Sequence, residues 1–499
     1  MSKASTPAPG RNAASSNTVA VGERAIMNTL YRSGGEVVGR LASLLLFVEA
    51  GRTLGTNGLG AFVFAVAYMG FVMVWVDIGL DRYLLRAGAR ARAEGRALFF
   101  NVLGLKLALA LPLFAVGFLV LHEVGYGHQA QATTWALAPG VFSDSVARTQ
   151  LSFFLSHERA GPPSFADAIQ RVCSAALGIA ALRAGYGVVS VGVTYSAGSM
   201  IGVIIGFVLL ARTIGVPRLT VNSGRWRGLA ARSLPFAAQD TFAVLLARAD
   251  TLILAAIATQ AAVGRYGAAY RLFESTLLIT AAIAGAFAAM FTYLGPDSDP
   301  PLRAVFQRSI KLSLVLLAPV AVAFAVLARP ICRLIYGSGF SAASLPLRIL
   351  APAVLLMAIV TLSNSLMLSR ENPRQMVSLA AAMAGVNVVL NLILIPLFSD
   401  AGAAAAMLAT ELVYAACILR MSTGAVGRLG GRTTVAGAGA GAAGMVAVTL
   451  LLNGSPWLGL ALGGGAYLLG LIAVERLVSP IDVELVTSMV RRLLPSRSA

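Results

Sequence analysis

The sequence predicts an all-α membrane protein with about 14 transmembrane helices, and three observations lead to this class. First, 58% of the 499 residues are hydrophobic and only 12% are charged, whereas a soluble domain carries about 25% charged residues. Second, mostly apolar stretches of about 20 residues, the length that spans a bilayer, recur along the chain. Third, basic residues are concentrated in every other connection. No separate soluble domain is predicted, because the longest polar stretches are the N-terminal tail and the loops near 81–97 and 211–232.

The apolar stretches define fourteen predicted spans. They lie at 27–50, 58–80, 98–121, 133–155, 166–183, 188–211, 234–257, 264–292, 308–328, 344–369, 375–397, 401–420, 433–452 and 456–475. The preceding residues 1–25 are rich in Ser, Ala and Pro, so we expect a disordered cytoplasmic tail rather than a cleavable signal peptide. The first span then acts as its own insertion signal, and residues 477–499 form a basic cytoplasmic tail.

The distribution of Lys and Arg predicts the orientation of these spans. With the N-terminus inside, the cytoplasmic segments carry 26 basic residues and the outer loops carry four. Basic residues accumulate in cytoplasmic loops, so we expect an even number of spans with both termini in the cytoplasm. The net charge of +18 is then explained by orientation and by contact with anionic membrane lipids, and nucleic-acid binding is not expected.

Nine basic residues remain beyond those counted in the cytoplasmic segments and outer loops, and all nine lie in predicted spans. They are Arg32, Arg40, Lys106, Arg148, Arg171, Arg248, Arg265, Arg271 and Arg348. A cation near the bilayer centre costs about 2.5 kcal/mol or more, so such residues face a polar interior. Many interior cations predict a cavity that holds an anion.

The alternative interpretation is that these cations are members of structural ion pairs. Four of them have an acidic residue one turn away on the same helix, which places both side chains on one face. The pairs are Glu36 with Arg40, Asp144 with Arg148, Asp167 with Arg171, and Arg271 with Glu274. Asp77 and Asp81 are expected to balance Arg82 and Arg86 at the inner end of the second span.

A weak internal repeat relates the two halves of the chain. Span 2 opens with Gly60-Ala-Phe62-Val-Phe-Ala65 and span 8 opens with Gly264-Arg-Tyr266-Gly-Ala-Ala269, at an offset of 204 residues. Repeated six-helix halves with a cavity between them are a common transporter plan. We therefore predict an N-lobe over 26–212, a cytoplasmic linker over 213–233, a C-lobe over 234–421, and two further helices over 422–476.

Several motifs resemble those of a known family. The motifs are Arg52-Thr-Leu-Gly55, Asp77-Ile-Gly79-Leu-Asp81-Arg82, Leu234-Pro235, Val263-Gly264-Arg-Tyr266, Ile335-Tyr336-Gly337, Asn364, Asn387, Asn391 and Gly402. Over residues 25–420 the chain resembles bacterial oligosaccharide flippases of the multidrug/oligosaccharidyl-lipid/polysaccharide exporter superfamily. The resemblance implies a multi-pass protein of the bacterial inner membrane that moves an undecaprenyl-diphosphate-linked glycan to the outer leaflet for surface polysaccharide synthesis.

The resemblance also implies alternating access coupled to an ion or proton gradient, with polysaccharide polymerase and chain-length proteins as partners. A multidrug or cation antiporter of the same superfamily is the alternative. The basic interior and the additional helix pair favour an anionic lipid-linked substrate over a cationic drug.

The resemblance directs attention to helices 1, 2, 7 and 8, which line the cavity between the lobes in this family. The predicted diphosphate-binding residues are Arg40, Arg248 and Arg271, with Arg52 and Arg265 nearer the outer mouth. The planar guanidinium grips phosphate oxygens bidentately and stays charged. The candidates for coupling, acidic residues in apolar surroundings, are Glu36, Asp240, Asp250, Glu274 and Glu411. The three Asn residues named above are candidates for sugar hydroxyls or for hydrogen bonds between helices.

Catalytic chemistry is not predicted. The sequence has no nucleophile–base constellation, no metal-ligand spacing and no phosphate-cradling loop, so neither enzyme activity nor a cofactor or metal is expected. A membrane-embedded polysaccharide polymerase is the competing class. It would be expected to carry a sizeable outer loop, whereas the longest outer loop spans only about 329–343.

Overall fold

The computed structural model describes residues 11–294, 299–370, 373–427, 429–452 and 455–478, and within them the chain is helical with short connections. Fifteen α-helices are labelled in chain order. They are α1 (Arg11–Asp77), α2 (Leu80–Arg90), α3 (Arg92–Glu123), α4 (His128–Ser156), α5 (Gly161–Arg183), α6 (Val188–Thr213), α7 (Trp226–Ile257), α8 (Gln260–Ser275), α9 (Leu277–Leu294), α10 (Asp299–Val326), α11 (Ala328–Tyr336), α12 (Ser344–Ser369), α13 (Pro373–Val426), α14 (Gly431–Leu451) and α15 (Pro456–Val478).

Two of these helices each contain two predicted spans. Helix α1 breaks at Gly55, whose φ of 66° is readily adopted by glycine, and this break separates spans 1 and 2. Helix α13 breaks at Ser399, with φ of 53°, and separates spans 11 and 12. Span 8 corresponds to α8 and α9, which meet at Thr276. With these divisions every predicted span has a helical counterpart, so the predicted all-α class is confirmed.

The structure differs from the prediction at three places. Residues 11–25, predicted as a disordered tail, form the start of α1. Residues 1–10 and the predicted tail beyond 478 lie outside the described residues. The cytoplasmic loop near 81–97 folds into α2 and the start of α3, and the loop near 329–343 contains α11 and a short 3-10 helix, Ser338–Ala343.

Ten segments of the described chain are long and apolar enough to cross a membrane by length and composition. Helices α4 and α7, with 29 and 32 residues, are long enough to cross a membrane. They are not among the ten segments because they are too polar. Their polar residues include Asp144, Arg148, Arg248 and Asp250. A polar helix is tolerated within a bundle where its polar face points away from lipid. These two helices therefore supply much of the polar interior.

Helices α1–α6 correspond to the predicted N-lobe and α7–α13 to the predicted C-lobe. The lobes meet at the end of the bundle that contains Gly55, where one apolar cluster joins residues of α1, α3, α4, α8 and α12, among them Phe62, Leu137, Tyr266 and Leu347. At the opposite end the apolar clusters of the two lobes are separate. There the lobes touch through α2 and α7, where Gly79, with φ of 72°, packs against the backbone of Ser233 and Ala237.

The two repeat motifs face each other across the lobe interface. A Cβ atom built on Gly60 would lie 2.0 Å from the carbonyl oxygen of Gln260, and one on Gly264 would lie 2.9 Å from the carbonyl carbon and 1.9 Å from the oxygen of Thr56. Backbone groups thus occupy the space where a side chain would be. Small residues permit such a close approach of membrane helices. The glycines of the repeat therefore allow α1 and α8 to cross in contact.

Helices α14 and α15 form a pair outside the duplicated lobes. They pack through small residues, with Gly441 against Tyr467 and Gly470 against the backbone of Ala440. Lys311 of α10 donates to Glu475 of α15 at 2.5 Å, and the Tyr467 hydroxyl donates to the Val315 carbonyl at 2.6 Å. The pair is therefore attached to α10 of the C-lobe.

Candidate functional site

Arg271 of α8 bridges the two lobes. Its guanidinium donates to Glu274 at 2.8 Å on its own helix and to the Ser43 hydroxyl of α1 at 2.5 Å. It also lies over the Phe47 ring of α1, 5.5 Å from the ring centroid, a distance at which a cation is attracted to the aromatic face. The predicted Arg271–Glu274 pair is confirmed.

Arg40 lies on the same region of α1, one turn before Ser43. Residues three apart on a helix share a face, so Arg40 and the Arg271 contact lie next to each other. Arg40 is paired with Glu36 at 2.5 Å, as predicted, and both side chains keep about a third or more of their surface exposed, 32% and 41%. Each of these two predicted diphosphate ligands is thus paired with a coupling candidate, and the four residues Glu36, Arg40, Arg271 and Glu274 are called the Arg271 cluster below.

A polar cavity of about 390 Å³ opens beside this cluster, inside the N-lobe. Glu36 and Ser43 form its α1 wall, and Asp144, Asp167 and Tyr195 are among its other lining residues. The sequence did not predict this cavity, because its walls come from four helices whose polar residues are spread over more than 150 positions.

Hydrogen bonds between helices fix one wall of the cavity. Asp144 accepts from the Gln170 amide at 2.5 Å and from the Tyr195 hydroxyl. Gln170 also donates to Ser199 at 3.1 Å. Asp167 and Arg171 form the predicted ion pair at 3.0 Å. The predicted Asp144–Arg148 pair is wrong, because Arg148 instead reaches Asp77 at 2.6 Å.

That contact belongs to a buried ion cluster, the Lys106 cluster, at the end of the N-lobe opposite Gly55. The Lys106 side chain is fully buried, with its ammonium group 2.9 Å from Asp77 and 2.8 Å from Asp81. The prediction that Asp77 and Asp81 balance Arg82 and Arg86 is therefore wrong. The acids neutralise cations of α3 and α4, which only the tertiary packing brings near.

The C-lobe contains a second group of buried polar residues. Asp250 accepts from the backbone and hydroxyl of Thr251, at 2.6 and 3.3 Å, and from the Tyr266 hydroxyl. It therefore joins α7 to α8 with both oxygens occupied. Glu411 is 2% exposed, and its Oε2 atom accepts no hydrogen bond from the described residues.

The three Asn candidates contribute to helix packing in this C-lobe group. Asn391 donates to the carbonyl and side-chain oxygens of Asn387, at 2.9 and 3.0 Å. Asn387 donates to Thr410 at 3.3 Å, and Asn364 donates to Tyr414 at 3.3 Å. The Asn364 contact joins α12 to α13 and the Asn387 contact joins the two halves of α13, in agreement with the predicted alternative of hydrogen bonds between helices. The Asn391 contacts lie within one helix.

Arg248 differs from the other predicted diphosphate ligands. It is half-buried on α7 and forms no hydrogen bond or ion pair with the residues that the structure describes. Tyr270, one residue before Arg271, lies within electrostatic range of Arg248, Glu274 and Glu411. Arg248 is thus a cation of α7 whose donors are not engaged by the described residues.

The remaining predicted residues are engaged elsewhere. Arg52 donates to the carbonyls of Leu334 and Ile335, at 2.6 and 2.7 Å, and so ties α1 to the end of α11. Arg265 makes two bonds to Asp400, at 2.8 and 2.9 Å. Asp240 pairs with Arg82 across the lobes at 2.6 Å.

The other interior cations do not join the cluster. Arg348 is exposed on α12, and the side chain of Arg32 lies outside the described part of the structure. Within the described residues no group of three or more His, Cys, Asp or Glu could hold a metal ion.

Residues 25–292, more than half of the chain, match the family model described as polysaccharide biosynthesis protein. The chain is 24% identical over 366 residues to a probable low-salt glycan biosynthesis flippase, Agl15, from Haloferax volcanii. The aligned residues make up 73% of this chain and 75% of the relative.

Two solved structures show the same fold at low sequence identity. Lipid II flippase MurJ in an inward closed conformation has a TM-score of 0.76 and 14% identity, over 90% of this chain and 99% of that one. A multidrug resistance MATE family transporter of the MOP superfamily, in an inward-facing conformation, has a TM-score of 0.61 and 14% identity, over 78% and 94%.

Proposed function

Because the chain belongs to the polysaccharide biosynthesis protein family and has the fold of the MOP superfamily, we propose that it flips a polyprenyl-diphosphate-linked oligosaccharide across the membrane. One observation carries this proposal: Arg271 of the C-lobe meets α1 of the N-lobe at Ser43, one turn from Arg40. Two cations at a lobe interface suit a diphosphate, because guanidinium groups bind phosphate oxygens bidentately. The glycan biosynthesis flippase among the relatives agrees with a lipid-linked glycan.

The substrate diphosphate would replace the carboxylates that accept hydrogen bonds from these two arginines. Glu36 and Glu274 satisfy Arg40 and Arg271 at 2.5 and 2.8 Å, so neither charge is left unpaired in the apolar interior. A diphosphate entering the interface replaces these partners with phosphate oxygens. Arg248, without such a partner in the described structure, supplies a further cation from α7.

The lobes would alternate by opening at opposite ends. Basic residues assign the Gly79 end to the cytoplasm and the Gly55 end to the outside, with both termini cytoplasmic in a bacterial inner membrane. Contacts at the outer end, Gly60 with Gly264 and Arg52 with α11, must separate for outward release. The Arg82–Asp240 pair must separate for cytoplasmic entry.

Glu411 is our candidate for coupling this cycle to an ion or proton gradient. It lies in the C-lobe with one oxygen unsatisfied by the described residues, whereas Asp250 is fully hydrogen-bonded and Asp240 pairs across the lobes. A charged carboxylate that is buried without a partner is unfavourable, so binding a proton or a cation stabilises it. Polymerase and chain-length proteins that receive the glycan are proposed partners.

Deletion of the gene tests the proposed substrate. We expect lipid-linked repeat units to accumulate on the cytoplasmic face, with restoration by the wild-type gene. Drug hypersensitivity with normal polysaccharide would instead identify a multidrug exporter. Intact flipping with lost chain extension would identify a polymerase.

A further inference from the structure

We propose that the N-lobe cavity binds the sugar residues nearest the diphosphate of the substrate. This inference rests on the proposed function, since it takes a diphosphate between Arg40 and Arg271 as its starting point. It adds a second binding region, separate from the cations, that recognises the glycan by hydrogen bonds.

The position of the cavity fits a group attached to that diphosphate. Ser43 accepts a hydrogen bond from Arg271 and also lines the cavity, and Glu36 pairs with Arg40 and also lines it. The cavity therefore lies directly beside Arg40 and Arg271. A sugar linked to the phosphate and directed into the N-lobe would lie in this cavity.

The charges of the lining residues favour a neutral polar group over a second phosphate. Three carboxylates, of Glu36, Asp144 and Asp167, face the space together with the cations Arg148 and Arg171. Each cation is already held by an aspartate, at 2.6 and 3.0 Å. A second phosphate would have to compete with these carboxylates for the cations, whereas a neutral polyol would not.

The hydrogen-bonding groups match the chemistry of sugar hydroxyls, each of which both donates and accepts. Asp167 and Arg171 keep 40% of their side-chain surfaces exposed, so acceptor and donor atoms remain available beside their ion pair. Asp144 accepts hydrogen bonds from Gln170 and Tyr195, and these bonds hold the three lining side chains in place. Because these hydrogen bonds already fix the lining side chains, little side-chain entropy is lost when a ligand binds.

The volume of the cavity limits what it accepts. Small-molecule sites commonly have volumes of about 300–1,000 Å³, and this one lies near the lower end at about 390 Å³. A cavity of this size accommodates a short saccharide but not a long repeat unit. We therefore assign it to the sugars next to the phosphate, with the remainder of the glycan in the space between the lobes.

The test compares two probes that differ only in the sugar. Binding of undecaprenyl diphosphate, and of the same lipid carrying a single N-acetylhexosamine, is measured for the full-length protein in nanodiscs. Asp167→Asn keeps the shape of the side chain but removes its charge. Glu123→Gln, an exposed acid outside the cavity, is the matched control, and thermal unfolding verifies that both variants fold.

We expect wild type to bind the glycosylated probe more tightly than the bare diphosphate. Asp167→Asn should weaken the glycosylated probe about tenfold, the effect of losing a hydrogen bond to a charged group, and leave the bare probe within about twofold. Equal affinity of wild type for both probes, or equal effects of Asp167→Asn on both, would overturn the sugar site. Failure of wild type to bind either probe would instead refute the proposed function. If Asp167→Asn fails to fold, Ser174→Ala, another lining residue, takes its place with the same expected selectivity.

Discussion

Replacing Gly264 by Ala tests whether the glycine contact keeps the lobes closed at the Gly55 end, which is the proposed outer end. The added Cβ would lie 1.9 Å from the Thr56 carbonyl oxygen and 3.1 Å from the backbone nitrogen of Gly60. Both neighbours are backbone atoms of α1, so no rotamer change relieves the clash. Reaching an ordinary contact of 3.4 Å requires α1 and α8 to separate by about 1.5 Å.

The energetic effect follows from this displacement. Inserting an additional carbon into a well-packed region costs about 1–3 kcal/mol. A state in which the outer ends are apart does not contain this clash. The variant should therefore shift the ratio of outward-closed to outward-open molecules by about 5- to 150-fold.

Distances between spin labels measure the shift. Labels at Tyr186 in the N-lobe and Leu345 in the C-lobe, both exposed, are introduced after replacement of the three native cysteines. Gly264→Ala should populate longer distances than the unsubstituted glycine. Gly70→Ala, at a glycine of α1 with no atom within 4 Å of the added Cβ, should behave as the parent. Unchanged distances in Gly264→Ala, or an equal change in Gly70→Ala, would refute the reasoning.

Three further predictions concern the ion pairs and the unpaired acid. Lys106→Met should destabilise the protein by about 3–5 kcal/mol, because it leaves Asp77 and Asp81 without their buried partner; unfolding in detergent measures this, and a change below 1 kcal/mol would contradict a paired cluster. Glu411→Gln should abolish gradient-driven transport while substrate exchange continues; a variant that still responds to an imposed gradient would exclude this residue from coupling. Arg52→Gln should remove two hydrogen bonds to α11 and increase chemical labelling at the outer end between the lobes; labelling equal to wild type would show that this contact does not restrain opening.

Much of the fold was predictable because the bilayer imposes a simple rule on span length and polarity. Each predicted span has a helical counterpart in the described structure, and the motif Gly60/Gly264 predicted a duplication. The sequence did not reveal that the segments around these glycines pack against each other. A repeat shows that two positions are equivalent, but it does not show that they are close in space. The family resemblance was confirmed by the match over 25–292.

The candidate site was predictable only where both partners lie on one helix. Pairs such as Glu36 with Arg40 and Asp167 with Arg171 follow from helical spacing and are present. The Lys106 cluster and the Asp144–Tyr195 contact join residues that lie more than 20 positions apart. Their pairing depends on how the helices pack, so sequence spacing assigned Asp77 and Arg148 to the wrong partners.

Flipping by the purified protein measures the central claim most directly. Proteoliposomes containing wild type, Arg271→Gln or Arg212→Gln, the last an exposed arginine outside the cluster, are loaded with a polyprenyl-diphosphate-linked glycan, and its appearance on the opposite leaflet is followed with a membrane-impermeant glycosidase. We expect Arg271→Gln to reduce the rate about tenfold or more, as for loss of a hydrogen bond between charged groups, while Arg212→Gln retains the wild-type rate. Wild-type flipping by a folded Arg271→Gln variant would contradict a diphosphate site between the lobes.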